Sequence, residues 1–202
     1  MKKVILLINF VLILSSPSFG FHKTLNDSLV QEAIDYGKKH KKTEMLEFWK
    51  PWAALPEGQR KPYTAQSLLE DVCFIITKWN RIADLSRDAA QKYQTIDASE
   101  VREIKRDDRL FFMFTVRGNR SDFAKDIHSV IKIDTLIIQP FAKHNPDVAQ
   151  GVLSRYSATC VHIYDEKDLP ENATIEFIII RKDAPKFVPK ETIYKIDLSK
   201  IK

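Results

Sequence analysis

The stretch Leu110-Phe111-Phe112-Met113-Phe114-Thr115-Val116-Arg117-Gly118-Asn119 decides the fold class. Leu110, Phe112, Phe114 and Val116 alternate with Phe111, Met113, Thr115 and Arg117, the period of two that places side chains on opposite faces of a strand. Both faces are apolar at first, which predicts a central strand covered on both sides. Gly118-Asn119 is a turn signal that closes it.

Towards the C-terminus the same texture recurs. Runs at 129–133, 135–139, 155–164, 174–181 and 191–198 read as strands. Pro140 closes the third strand. Asp168-Leu169-Pro170 and the stretch 183–189 punctuate the later ones. Strands separated by turns, with no helix between most of them, imply antiparallel pairing. The stretch His144-Asn145-Pro146-Asp147 is rich in turn residues. It reads as a solvated connection, the kind of loop on which surface function sits.

Towards the N-terminus the period is helical. Leu29, Val30, Ala33 and Ile34 predict a helix over 27–36, capped by Asn26 or Asp27 and ended by Gly37. The basic run from Lys38 to Lys42 suits a solvated helix C-terminus, where cations complement the dipole. Met45, Leu46, Phe48, Trp49 and Trp52 predict a short helix over the core, followed by a connector at 54–63. Ser67 and Glu70 form a capping-box pattern. From there Leu68, Leu69, Val72, Cys73, Ile76, Trp79, Ile82, Ala83, Ala90 and Tyr93 trace one broad face of a long amphipathic helix. Asp97 and Glu100 repeat the capping pattern before a short helix at 98–105.

The expected fold is therefore α+β: N-terminal helices, one of them long and amphipathic, packed on a C-terminal antiparallel β-sandwich of immunoglobulin-like character. A single curved sheet backed by helices is the alternative. The helical region spans 21–105 and the β region 106–202, the two sharing one core.

Residues 1–20 read as a signal peptide. Lys2 and Lys3 precede an apolar run from Val4 to Leu14 broken only by Asn9, and small and turn-forming residues follow. Eleven apolar residues fall short of the roughly 20 that span a bilayer. Ser18 and Gly20 place cleavage after Gly20. The expected location is the bacterial periplasm or the medium, with no transmembrane segment left after cleavage. The leader's two lysines account for part of the +5 net charge. The modest surplus left does not point to nucleic acid, whose binders concentrate charge on one face. Sequons at Asn26, Asn119 and Asn172 read as chance in a bacterial source. Cys73 and Cys160 are the two cysteines. In an oxidising compartment they form a disulfide candidate worth about 4–5 kcal/mol in the chain-entropy model.

The chain lacks the serine elbow, the H-E-x-x-H zinc pattern, the phosphate-cradling loop and the calcium loop. No residue is assigned a catalytic or metal-ligating role, and no cofactor is expected. The leading function is an exported, non-enzymatic module acting by contact with another envelope or extracellular protein. One alternative is a binder of small apolar ligands or lipid, with a pocket between long helix and sheet lined from Trp49, Trp52, Trp79, Ile82, Phe112 and Phe114. A second is a hydrolase or metal enzyme using His128, His144 or His162.

Overall fold

The computed structural model describes residues 20–58, 72–152, 155–182, 184 and 189–202. In chain order the elements are α1 (Asp27–Lys39), α2 (Met45–Trp49), β1 (Ala53–Ala54), β2 (Cys73–Ile76), α3 (Lys78–Gln91) and α4 (Ala98–Arg106). Then come β3 (Arg109–Gly118), β4 (Ile127–Ile133), β5 (Leu136–Ile138), β6 (Ala142–His144), β7 (Gln150–Val152), β8 (Arg155–Asp165), β9 (Thr174–Arg181) and β10 (Glu191–Asp197).

The α+β class holds, and the strands form two antiparallel sheets. One runs β1-β2-β3-β8-β6, with β7 also pairing with β8; the other runs β10-β9-β4-β5. As the alternation predicts, β3 is central, with Phe114 in register with Cys73 on one side and Cys160 on the other. Its inward residues Leu110, Phe112, Phe114 and Val116 are buried. The buried faces of the two sheets meet where Phe112 stacks on Phe177 at 4.4 Å, flanked by edge contacts and tilted contacts of Phe114 and Tyr164 with Phe177. Aromatic pairs in such offset and edge arrangements add to their burial about 0.5–1.5 kcal/mol each.

The long helix expected from residue 67 is not what forms. Residues 67–71 lie outside the described residues. Cys73–Ile76 is strand β2, and the helix α3 starts only after Thr77. The run Val72-Cys73-Phe74-Ile75-Ile76 is β-branched and aromatic, which favours a pleated surface over a helix. Its burial alternates, and hydrophobics at positions 72, 73 and 76 satisfy a helical template as well as a strand. The real helix start is a capping box of Thr77 with Asn80. The Thr77 hydroxyl accepts from the Asn80 N–H at 3.3 Å, and the Asn80 side chain accepts from the Thr77 N–H at 2.9 Å. Asparagine in place of the usual Glu or Gln hides the motif.

Gly37 corrects a second expectation. It does not end α1, which runs on to Lys39. It lies where α1 crosses α3: a Cβ there would sit 2.1 Å from the Ala83 carbonyl oxygen. The Ser86 hydroxyl fastens the same crossing by donating to the Ile34 carbonyl at 2.8 Å. Around it the aromatic residues pack on one another, with ring centroids 5.3 Å apart for Tyr36 and Trp79, 5.8 Å for Trp52 and Trp79, and 5.6 Å for Phe48 and Trp52.

The start and the end of the described chain lie together. The buried Phe21 donates its N–H to the Leu198 carbonyl at 2.8 Å. Beside them Lys78 is buried, its ammonium reaching the Lys23 carbonyl at 2.7 Å, Asp108 at 2.8 Å and Glu166 at 2.9 Å. Three acceptors for three ammonium protons are what a buried lysine requires. Burial pushes the Glu166 carboxyl up to about 7, against the opposing pull of Lys78.

The disulfide expectation fails. Cys73 and Cys160 are free thiols, held on either side of Phe114. Two interstrand spacings, about 9–10 Å, exceed the ~7 Å limit for a bridge. Burial raises both thiol pKa values, that of Cys160 to about 12. Among the described residues no helix is long and apolar enough to cross a membrane.

Candidate interaction edge

The two sheets end differently on their two sides. On one side β1 and β10 approach each other, and the Glu57 N–H just beyond β1 donates to the Ile193 carbonyl of β10 at 2.8 Å. On the other side stand β5, the last strand of one sheet, and β6, a terminal strand of the other. The chain passes directly between them through Gln139, Pro140 and Phe141, and the Phe141 N–H holds to the Ile163 carbonyl at 2.7 Å.

This second side is apolar and open. Leu136 is 55% exposed, Ile137 58%, Phe141 76% and Val148 72%. A side chain exposed singly needs no explanation, but four large ones within thirteen residues, at the free ends of both sheets, form an exposed apolar patch. The β4–β5 hairpin that presents Leu136 and Ile137 turns at Asp134, whose φ of 51° is a left-handed conformation that aspartate tolerates. Next to Val148 is a cleft of about 210 Å³ lined by Pro146, Ala149, Ser157 and Thr159 among others. It is below the ~300 Å³ lower end of ligand pockets and suits an inserted side chain.

A buried polar relay pins this edge to the interior. Asn145, directly after β6, donates from Nδ2 to the Ile127 carbonyl at 2.9 Å. Its Oδ1 then faces Nε2 of His162 at 2.9 Å, so Nε2 carries the proton and Nδ1 accepts. Ser129 donates to Nδ1 at 2.5 Å and accepts from the Tyr164 hydroxyl at 2.7 Å. Every member of the chain Tyr164, Ser129, His162, Asn145 is thus given one direction. Burial, reinforced by the positive surroundings of Lys143, His128 and His144, lowers the His162 pKa to about 4, so the ring is neutral. The relay crosses from β8 to β4 and ties the loop carrying Val148 to both sheets.

The three histidines named in the sequence therefore gather on one side of the molecule with different surroundings. His162 touches a serine and an asparagine, an order like that of nucleophile, base and orienting group. The Ser129 hydroxyl, however, is enclosed between the sheets and already engaged at both its proton and a lone pair. A substrate carbonyl would need the sheets to part. His128 lies at the rim with Nδ1 3.0 Å from Nζ of Lys143. Burial first, and then Lys143 and Lys182 against the weaker opposing charge of Asp126, lower its pKa. His144 is exposed. No group of three His, Cys, Asp or Glu among the described residues is arranged to hold a metal ion.

The residues named for an apolar pocket divide between two packed clusters. Trp49, Trp52 and Trp79 belong to the aromatic cluster of the helices, with Ile82 buried on α3. Phe112 and Phe114 face the other sheet, against Phe177. Sequence reasoning marked the 144–147 stretch but missed Phe141, Val148, Leu136 and Ile137. The available signal was apolar residues adjoining turn residues, at Pro140-Phe141 and Asp147-Val148. No known protein family matches the chain, and none of the curated proteins or solved structures is significantly similar to it.

Proposed function

We infer that the protein is an exported module that works by protein contact, through the edge formed by β5, β6 and the loop to Val148. The observation that carries this reading is the asymmetry of the two sides. One is drawn together by Glu57 and Ile193, and the other leaves Leu136, Ile137, Phe141 and Val148 in solvent. We read the two facing sheets as a β-sandwich of immunoglobulin-like character, an architecture that meets partners through loops and sheet edges. Phe141 and Ile137 are the expected anchors, since large apolar side chains at the centre of a contact carry most of its energy.

The site of action is the periplasm or the medium. Cleavage after Gly20 leaves Phe21 as the first residue, its ring buried and its new ammonium in contact with the Leu198 carbonyl. The partner is another envelope or extracellular protein. N-terminal sequencing of the exported protein is expected to begin at Phe21.

The direct test compares tagged wild-type protein with the double variant Ile137→Lys, Phe141→Asp after mild crosslinking in the native host. A stoichiometric companion recovered with the wild type and lost with the variant, at unchanged circular dichroism, supports the reading. Identical recovery with both proteins refutes it.

A further inference from the structure

The open edge carries a charge imbalance as well as apolar side chains. Two of its lysines have acidic partners: Lys125 faces Asp147 at 3.5 Å, and Lys132 faces Glu176 at 3.2 Å. Lys143 on β6 has none among the described residues. Its ammonium instead donates to Nδ1 of His128 across the gap between the two sheets, at 3.0 Å. His144 is exposed beside it, and the charge of Lys182, following β9, is felt at His128. Asp126 is the acidic group whose charge acts on His128. Lys143 thus spends its ammonium on an imidazole, with the charge of Lys182 near by, and this corner of the edge holds more cations than carboxylates.

We propose that the partner's docking segment is acidic and apolar, placing carboxylates on Lys143 and His128 while its apolar side chains cover Phe141 and Ile137. This rests on the contact reading above and names the chemistry of the partner. A carboxylate reaching Lys143 forms a charge-assisted hydrogen bond, stronger than the one to imidazole. It also favours the protonated form of His128, turning a repelled cation into a second donor. A second copy of this chain would bring the same cations, Lys143 and Lys182, to the contact in place of the carboxylates that complement them.

The test uses the whole exported protein and two synthetic peptides, acetyl-Glu-Val-Glu-Phe-Glu-Val-Glu-amide and its counterpart with lysine at every glutamate, followed by NMR. The expected result is binding of the acidic peptide at least tenfold tighter than the basic one, weakened by salt. Signals of 128, 137, 141 and 143 move, and the His128 imidazole titrates upwards on binding. Lys143→Glu is expected to abolish the preference while leaving the spectrum of the rest of the fold unchanged. Equal binding of the two peptides, or binding of neither, overturns the proposal. So does recruitment to phosphatidylglycerol vesicles without peptide binding, which would make the edge a lipid surface. Shifts at the edge that depend on dilution would make it a self-association surface. If Lys143→Glu leaves partner recovery intact while Ile137→Lys, Phe141→Asp abolishes it, the carboxylate proposal alone falls and the contact reading stands.

Discussion

Asn145 accepts a hydrogen bond from Nε2 of His162 at 2.9 Å, and that bond joins an enclosed relay to the loop that carries the exposed Val148. The same side chain donates to the Ile127 carbonyl at 2.9 Å. Removing it in Asn145→Ala leaves the His162 N–H and the Ile127 carbonyl without their partner. A loss of about 1–3 kcal/mol is expected, read as a shift of the urea midpoint. Exchange of the amides in 145–149 should speed up more than the global change explains. A variant as stable as the wild type would remove the relay from the account.

The relay also fixes a pH dependence. A buried neutral imidazole titrating near 4 stays unprotonated while the unfolded chain takes up a proton below its ordinary value near 6.5. Between those two values the unfolded state binds more protons, so stability falls as the pH drops through the window, by about 3 kcal/mol in full. Glu166 acts with the opposite sign. Its raised pKa means the folded state binds the extra proton between 4.5 and about 7, and stability falls as the pH rises there. The two trends oppose each other, so each needs its own variant. NMR of the His162 ring is expected to show titration near 4, and Glu166→Gln is expected to remove the decline towards neutral pH. A His162 signal titrating near 6.5 would contradict the enclosed ring.

The cysteines give a chemical check on the strand order. Cys73 and Cys160 are both in register with Phe114 from opposite sides. The thermal midpoint should be the same with and without reductant. Both thiols should resist a thiol reagent in the folded protein and react once it is unfolded, as their raised pKa values and burial require. A mass two hydrogens short, restored by reductant, would show the strands to be placed wrongly.

At the helix crossing, Gly37→Ala forces a methyl group against the Ala83 carbonyl and the Arg87 backbone nitrogen, 2.1 and 2.8 Å away. Neither is a flexible side-chain end. Overpacking of this kind costs typically about 1–3 kcal/mol, here beyond the gain in helix propensity that alanine brings. Thermal unfolding is expected at lower temperature, and a stabilised variant would refute the close crossing.

What the sequence made legible follows from how many physical signals agreed. Alternation, β-branching and turn residues coincide along β3, β4, β8, β9 and β10, and their spans are close to those expected. At Val72–Ile76 the signals conflict: the spacing of the apolar residues fits a helix, while their β-branched and aromatic character fits a strand. The tertiary pairing with β3 decides it. Gly37 reads locally as a helix stop, because the need for a close α3 neighbour is not written nearby. The exposed apolar edge was only partly legible for the same reason. His144 to Asp147 is recognisable as a loop, but Leu136 and Ile137 read as ordinary strand residues until β5 proves to be the last strand of its sheet. The relay joins positions 129, 145, 162 and 164 through side chains on different elements.

The most direct test of the proposed contact edge is photo-crosslinking in the native host, with benzoylphenylalanine placed at Phe141 and, as a control of even greater exposure, at Tyr93 just after α3, 92% exposed. The expected result is one defined adduct from position 141, absent from position 93 and lost when Ile137→Lys is added. Adducts from both positions alike, or from neither, would contradict the claim that this edge is where the protein meets its partner.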